Sequence, residues 1–173
     1  RLAPFPTAVA KAEVEKELGH PLAEIFRDFS EPVAAASLAQ VHKAVLVETG
    51  EPVAIKVLRP GIERAFGKDI DAFYFAARMI EILSPASRRL RPMDVITHFE
   101  GIVRGELDLR LESSAAGEFA ANTVDDTGFQ VPAIKWHYSA RRVMTLGWAE
   151  GVSIGDIAAL DAAGHDRPDL AKR

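Results

Sequence analysis

An α+β fold, an antiparallel sheet with helices packed on it, follows from two observations on the sequence. Apolar side chains recur at helical spacing in some segments and alternate at strand spacing in others, and the two kinds of segment occupy separate blocks. Read in order, the blocks run helix, hairpin, helix, helix, hairpin, helix. A polar or proline-containing turn separates most of them.

Thr7 to Leu18 carries Ala8, Val9, Ala12, Val14 and Leu18 between charges, roughly the period of a helix, and Gly19 supplies a stop. A short helix is predicted at Pro21 to Phe26. The period then changes. Val41, Lys43, Val45 and Val47 alternate with His42, Ala44 and Leu46, Thr49-Gly50 makes a turn, and Pro52 to Leu58 is extended again, which is a hairpin. Arg59-Pro60-Gly61 ends the second strand, because proline cannot continue a ladder and restricts the residue before it. A helix over about Ile62 to Leu83 aligns Ile70, Phe73, Ala77, Ile80 and Leu83, and Ser84-Pro85 breaks it. A second begins at Pro92, suited to a first turn, and runs through Ile96, Phe99, Ile102, Val103 and Leu107 towards Phe119. Asn122 to Gly128 is a polar, acidic loop. Val131 to His137 and Arg142 to Leu146 read as strands around a Ser139-Ala140 turn, and Ile154 to Ala162 as a short helix after the break at Glu150-Gly151.

With 173 residues, 48% hydrophobic and 27% charged, the chain can bury one sizeable core, as a single domain or a large piece of one. A net charge of -4 gives no basic field to recommend a nucleic acid. The lack of cysteine excludes disulfides, thiol nucleophiles and Cys-based zinc sites and suits a reducing compartment, so cytoplasmic is the expected location. No window approaches the run of about 18 apolar residues that spans a bilayer. Both ends read as cut from a longer chain. The five histidines, at 20, 42, 98, 137 and 165, lack metal-ligand spacing and read as structural, and no GxSxG, HExxH, Walker or GxGxxG motif occurs.

Three segments could carry chemistry. In Pro52 to Leu58, alternation sets Val53, Ile55 and Val57 on one face and Ala54, Lys56 and Leu58 on the other. A half-buried lysine there needs a carboxylate or a ligand phosphate opposite it, unless the strand is a sheet edge and the ammonium reaches water. Pro32 to Val41 combines small residues with a serine, so its backbone could approach a ligand closely and its N–H groups could cradle phosphate, or it could be plain packing. In Gly105 to Glu112, Asp108 and Glu112 stand four apart and would share one helical face, with Glu106 pointing elsewhere. Arg104 and Arg110 could equally neutralise these acids in solvent.

Four linked segments, VAAASLAQVH (33–42), PVAIKVLRPG (52–61), ELDLRLE (106–112) and VMTLGWAEG (143–151), resemble in order and spacing the UbiB family of atypical kinase-like proteins. The resemblance covers about Pro4 to Ala162. It implies a protein-kinase-like N-lobe with a long C-type helix: N-terminal helices over 1–30, the lobe proper over 31–150, and the start of a C-lobe over 151–173. It further implies that Val33, Ala34, Ala35, Ala36, Ser37, Leu38, Ala39, Gln40 and Val41 form an alanine-rich loop replacing a kinase's glycine-rich loop. Lys56, with Ala54 nearby, would meet the nucleotide phosphates, and Glu112 would be the lysine's partner. Glu106 and Asp108 match an ExD motif that faces a KxGQ segment, expected upstream of Arg1, or the metal. Gly147, Trp148 and Ala149 match the hinge, although Gly147 stands where relatives commonly carry an acid. ATP or ADP with Mg2+ is the implied cofactor, and an isoprenoid lipid and lipid-biosynthesis proteins are implied partners at the inner membrane surface. The implied function is an ATPase or phosphotransferase supporting ubiquinone biosynthesis, the alternative being a non-catalytic nucleotide or lipid sensor. The catalytic loop and Asp-Phe-Gly are expected beyond Arg173, so this piece should be inactive alone.

Overall fold

A computed structural model describes residues 3–126 and 128–170. Helix α1 (Thr7–Leu18) and the short α2 (Leu22–Ile25) lead into strands β1 (Phe26–Arg27), β2 (Pro32–Ala35), β3 (Ala39–Leu46) and β4 (Pro52–Leu58). Helices α3 (Ile62–Leu83), α4 (Pro92–Glu106) and α5 (Leu109–Asn122) follow, then β5 (Val143–Gly147), α6 (Ile157–Ala162) and α7 (Arg167–Leu170). The five strands form one antiparallel sheet in the order β1-β3-β4-β5, with β2 also paired to β3. The α+β class read from the sequence is the one observed.

Alternation decides what each strand buries. In β4, Val53, Ile55 and Val57 are fully buried and join Ala44 and Leu46 of β3, Val143 of β5, Phe26, Phe5, and Ala10 and Val14 of α1 in one core on the back of the sheet. At one end of the front face a smaller core gathers Ala39, Leu58 and Met144 under Leu109 of α5. The tight β3–β4 turn depends on Gly50 at φ 73°, a conformation a side chain would strain. Arg142 ties the layers together: its guanidinium reaches Glu13 of α1 at 3.0 Å and Glu63 of α3 at 2.9 Å. The Glu13 contact is an ion pair whose N–H lies out of line for a hydrogen bond.

Four elements differ from expectation. The helix predicted from Pro92 to Phe119 is two, because Gly105 is a poor helix former and Asp108, extended at φ -128°, caps a new helix by accepting the Arg110 N–H. Val131–His137 is not a strand. It makes a single bridge, Ile134 to Leu146, since Pro132 has no N–H to donate and Trp136–Tyr138 winds into a 3-10 turn. The last predicted helix starts at Ile157 rather than Ile154, where Asp156 caps it through the Ala159 N–H. Phe26, expected at a helix end, opens β1, so 1–30 is not helical throughout. Thr127 of the acidic loop, and residues 1, 2 and 171–173 of the outer segments, lie outside the described residues.

Candidate functional site at the front of the sheet

β4 is an interior strand, hydrogen-bonded to β3 on one side and β5 on the other, so Lys56 does not stand at a sheet edge. Directly paired residues project to the same side of an antiparallel sheet. Val41 opposite Lys56, Lys43 opposite Ala54, and Leu146 opposite Ala54 therefore make one continuous front face with Met144. Its members are partly exposed except Met144, whereas the alternate residues behind them are buried.

The Lys56 ammonium donates to both oxygens of the Glu112 carboxylate, at 2.7 and 2.6 Å. Its partner comes from the first turn of α5, which is anchored against the sheet by buried Leu109 and by the Leu109 N–H donated to Arg141 O at 2.8 Å. Side-chain exposures of 29% for Lys56 and 46% for Glu112 leave the pair open to solvent and to an incoming anion. An ion pair this exposed contributes about 0–1 kcal/mol to stability. Its chemical consequence is to hold an ammonium at a fixed place over an apolar sheet.

Asp108 and Glu112 do not share a helical face, because the helix begins between them. Arg110 instead clamps Asp108 at 2.6 and 2.9 Å, and that hydrogen bond holds the Asp108 carboxyl below its ordinary value and raises the guanidinium. Glu106 ends α4 and is exposed, and its carboxylate makes no ion pair or hydrogen bond among the described residues. Arg104 turns away from it to Glu100 at 2.6 Å. Among the described residues no three His, Asp or Glu side chains group as a metal site.

The alanine-rich segment is itself a hairpin. Val33, Ala34 and Ala35 belong to β2, Ala36, Ser37 and Leu38 make the connection, and Ala39, Gln40 and Val41 open β3, with Ala36 N–H donated to Ala39 O at 2.8 Å. None of the alanines has positive φ. The Ser37 and Leu38 N–H groups meet no acceptor among the described residues. Gln40 departs from the sequence reading in one respect: its side chain faces the back, 1% exposed, where it accepts from Phe5 N at 3.0 Å and donates to Phe5 O at 3.2 Å. It also donates to Nε2 of His42 at 2.9 Å, while His42 Nδ1 meets Ser30 O at 2.8 Å. A carbonyl can only accept, so the His42 proton sits on Nδ1 and Nε2 is the acceptor. Burial pushes the pKa of His42 down.

At the far end of the front face, Gly147 closes β5 and Trp148 N–H donates to Pro52 O at 3.1 Å. Trp148 lies under the Lys43 ammonium, 4.5 Å from the ring centroid. With Ala149 these residues line a concavity of about 470 Å³ together with Glu51 and Lys135, which pair at 2.7 Å. Sequence reasoning passed over Lys43 and Arg59. The signal for Lys43 was its parity with Val41 on one strand, and for Arg59 its place directly after the lysine strand.

Among the described residues no helix is long and apolar enough to cross a membrane. The ABC1 atypical kinase-like domain family matches residues 1–173. Relatives described as "Probable protein kinase UbiB" align with the whole chain: the one from Marinobacter nauticus is 36% identical over 174 residues, that from Shewanella baltica (strain OS155) 37%, and that from Cronobacter sakazakii 39% over 175. The chain spans 32% of the length of each of these relatives. With the family match running from end to end, this chain belongs to the ABC1 atypical kinase-like family.

Proposed function

We propose that the front face is the nucleotide-binding wall of an atypical kinase-like protein, taking ATP or ADP. The observation that carries the reading is the Lys56–Glu112 pair: an ammonium held by a carboxylate on an interior strand, level with Val41 at the mouth of the alanine-rich hairpin. In this reading Lys56 meets the phosphates as a fixed positive charge, and Glu112 keeps it from folding back on the sheet. The N–H groups of Ser37 and Leu38, without an acceptor among the described residues, supply further donors to phosphate oxygens. Ala54, Val41 and Leu146 offer small and apolar surface to a base, and the backbone of Gly147 and Ala149 its polar edge.

A Mg2+ ion accompanying the nucleotide would neutralise phosphate charge. Glu106, whose carboxylate is uncommitted among the described residues, would be one ligand, with phosphate oxygens and groups from the rest of the full-length protein completing the set. In the full-length protein we place this wall in an ATPase or phosphotransferase acting, as the relatives' family suggests, in ubiquinone or related isoprenoid-lipid synthesis at a membrane surface. Calorimetric titration of ADP and ATP with magnesium into full-length wild type and Lys56→Ala tests the wall itself. Loss of one charge-assisted phosphate contact should weaken binding about tenfold or more. Equal affinity in the two proteins would refute the role given to Lys56.

A further inference from the structure

Arg59 contacts three carbonyls on two separate pieces of backbone. Its Nη2 donates to Ala3 O at 2.8 Å, its Nε to Ser37 O at 3.3 Å, and its own N–H to Leu38 O at 2.7 Å, while the guanidinium stacks 5.3 Å from the centroid of Phe5. Among the described residues it makes no ion pair. The arginine at the end of the lysine strand is thus committed to two adjacent carbonyls at the tip of the alanine-rich hairpin and to the segment before α1. That segment is held a second time by the Gln40 amide, which pairs with both the N–H and the C=O of Phe5.

Peptide geometry turns this contact into a direction. No cis peptide occurs among the described residues, and in a planar trans unit the C=O and the N–H point opposite ways. The Ser37 C=O and the Leu38 N–H belong to one such unit. When Arg59 draws the Ser37 carbonyl to itself, the Leu38 N–H is aimed away from Arg59, and that N–H is without an acceptor among the described residues. The alanines, all at negative φ, limit the other orientations the tip could take.

We propose that Arg59 is a positioning residue for the nucleotide site: its guanidinium pins the Ser37 carbonyl of the hairpin tip from behind, against residues 3–5, so that the Leu38 N–H is presented to a phosphate. This deepens the nucleotide-binding reading and rests on it for the identity of the ligand. The coupling between Arg59 and the hairpin is a separate fact that can be measured without ligand.

Full-length wild type, Arg59→Gln and Arg59→Lys would be compared in two measurements. Amide hydrogen exchange in ligand-free protein should quicken in both variants at Ala36, whose N–H is bonded to Ala39 O across the tip, with the exchange of β4 and β5 unchanged. Unchanged exchange at Ala36 would overturn the pinning. Calorimetry with Mg-ADP and with adenosine should give about a tenfold loss for ADP and none for adenosine in Arg59→Gln, the size of one lost phosphate contact. Arg59→Lys should fail to restore ADP affinity, because an ammonium cannot reproduce the planar fork that spans Ser37 O and Ala3 O. Restoration by lysine would overturn the proposal in favour of Arg59 acting as a direct phosphate charge. Wild type that binds neither ligand, with exchange at Ala36 still quickened in the variants, would defeat the nucleotide reading and with it the ligand half of the proposal, and leave the pinning standing.

Discussion

The two faces of strand β4 come from seven consecutive residues and obey opposite rules. On the back, Val53, Ile55 and Val57 are completely buried among apolar neighbours and the hydrogen-bonded polar side chains of Gln40, His42 and Thr145. On the front, Ala54 and Lys56 remain partly exposed, and the strand's one charge is met by a carboxylate delivered from another helix. One face is committed to holding the fold together and has no chemistry left to offer. The other is packed only at its Leu58 end and keeps a charge and a small side chain available beside the hairpin tip. Function can be carried on such a strand because the back face has already fixed its position.

The sharpest way to break the comparison is to damage one face and look for the effect on the other. Ile55→Ala removes a fully buried side chain and should cost about 2–5 kcal/mol of unfolding free energy, read from the denaturant midpoint. Under conditions where the protein remains folded, its affinity for nucleotide should match wild type. Lys56→Ala should do the reverse. Its ion pair is exposed, so stability should stay within about 1 kcal/mol of wild type while nucleotide binding falls. His98, exposed on α4, serves as the control, and His98→Ala should change neither. A Lys56→Ala protein that unfolds much more easily would mean that the front face is structural after all.

The back face also carries a pH dependence. Burial lowers the pKa of His42 below its ordinary 6.5, so the unfolded chain binds a proton more readily than the folded one. Stability is then undiminished above 6.5 and declines as the pH falls below it. Protonation would also turn Nε2 from an acceptor into a donor facing the Gln40 amide nitrogen. Unfolding free energies measured from pH 8 to 5 should decline more steeply in wild type than in His42→Asn. Parallel curves would remove His42 as the cause.

Much of this arrangement was legible in the sequence, and the exceptions share a cause. Strand parity separated Ile55 from Lys56 without coordinates, and it equally sets Gln40 opposite Val41, although the loop motif suggested that all nine of its residues face a ligand. The break between α4 and α5 was harder to see. Gly105 and Asp108 are ordinary within a long apolar period, and only the buried docking of Leu109 against Met144 makes a new helix start worthwhile. Pro132, which has no N–H to donate, is a visible mark in the sequence against a strand at Val131–His137. The role of Arg59 was not legible, since its partners are backbone carbonyls 22 and 56 residues away and backbone leaves no mark on sequence.

The smallest expected effect concerns the hairpin tip, where a kinase's glycines could take positive φ and fold the backbone over the outermost phosphate. Here Ala34, Ala35 and Ala36 all keep negative φ, and Ala36 closes the turn by donating to Ala39 O at 2.8 Å. A methyl group at Ala36 therefore restricts where the neighbouring Ser37 and Leu38 N–H groups can point. Ala36→Gly lifts that restriction for about 1 kcal/mol of backbone preference, roughly a fivefold effect on an equilibrium. Because the longer triphosphate gains more than the diphosphate from a tip free to close over it, the ratio of ATP to ADP affinity should rise in the variant. Titration of both nucleotides with magnesium into full-length wild type and Ala36→Gly measures the ratio directly. If it does not move, the alanines serve only to pack the hairpin, and discrimination between the nucleotides must arise elsewhere on the front face.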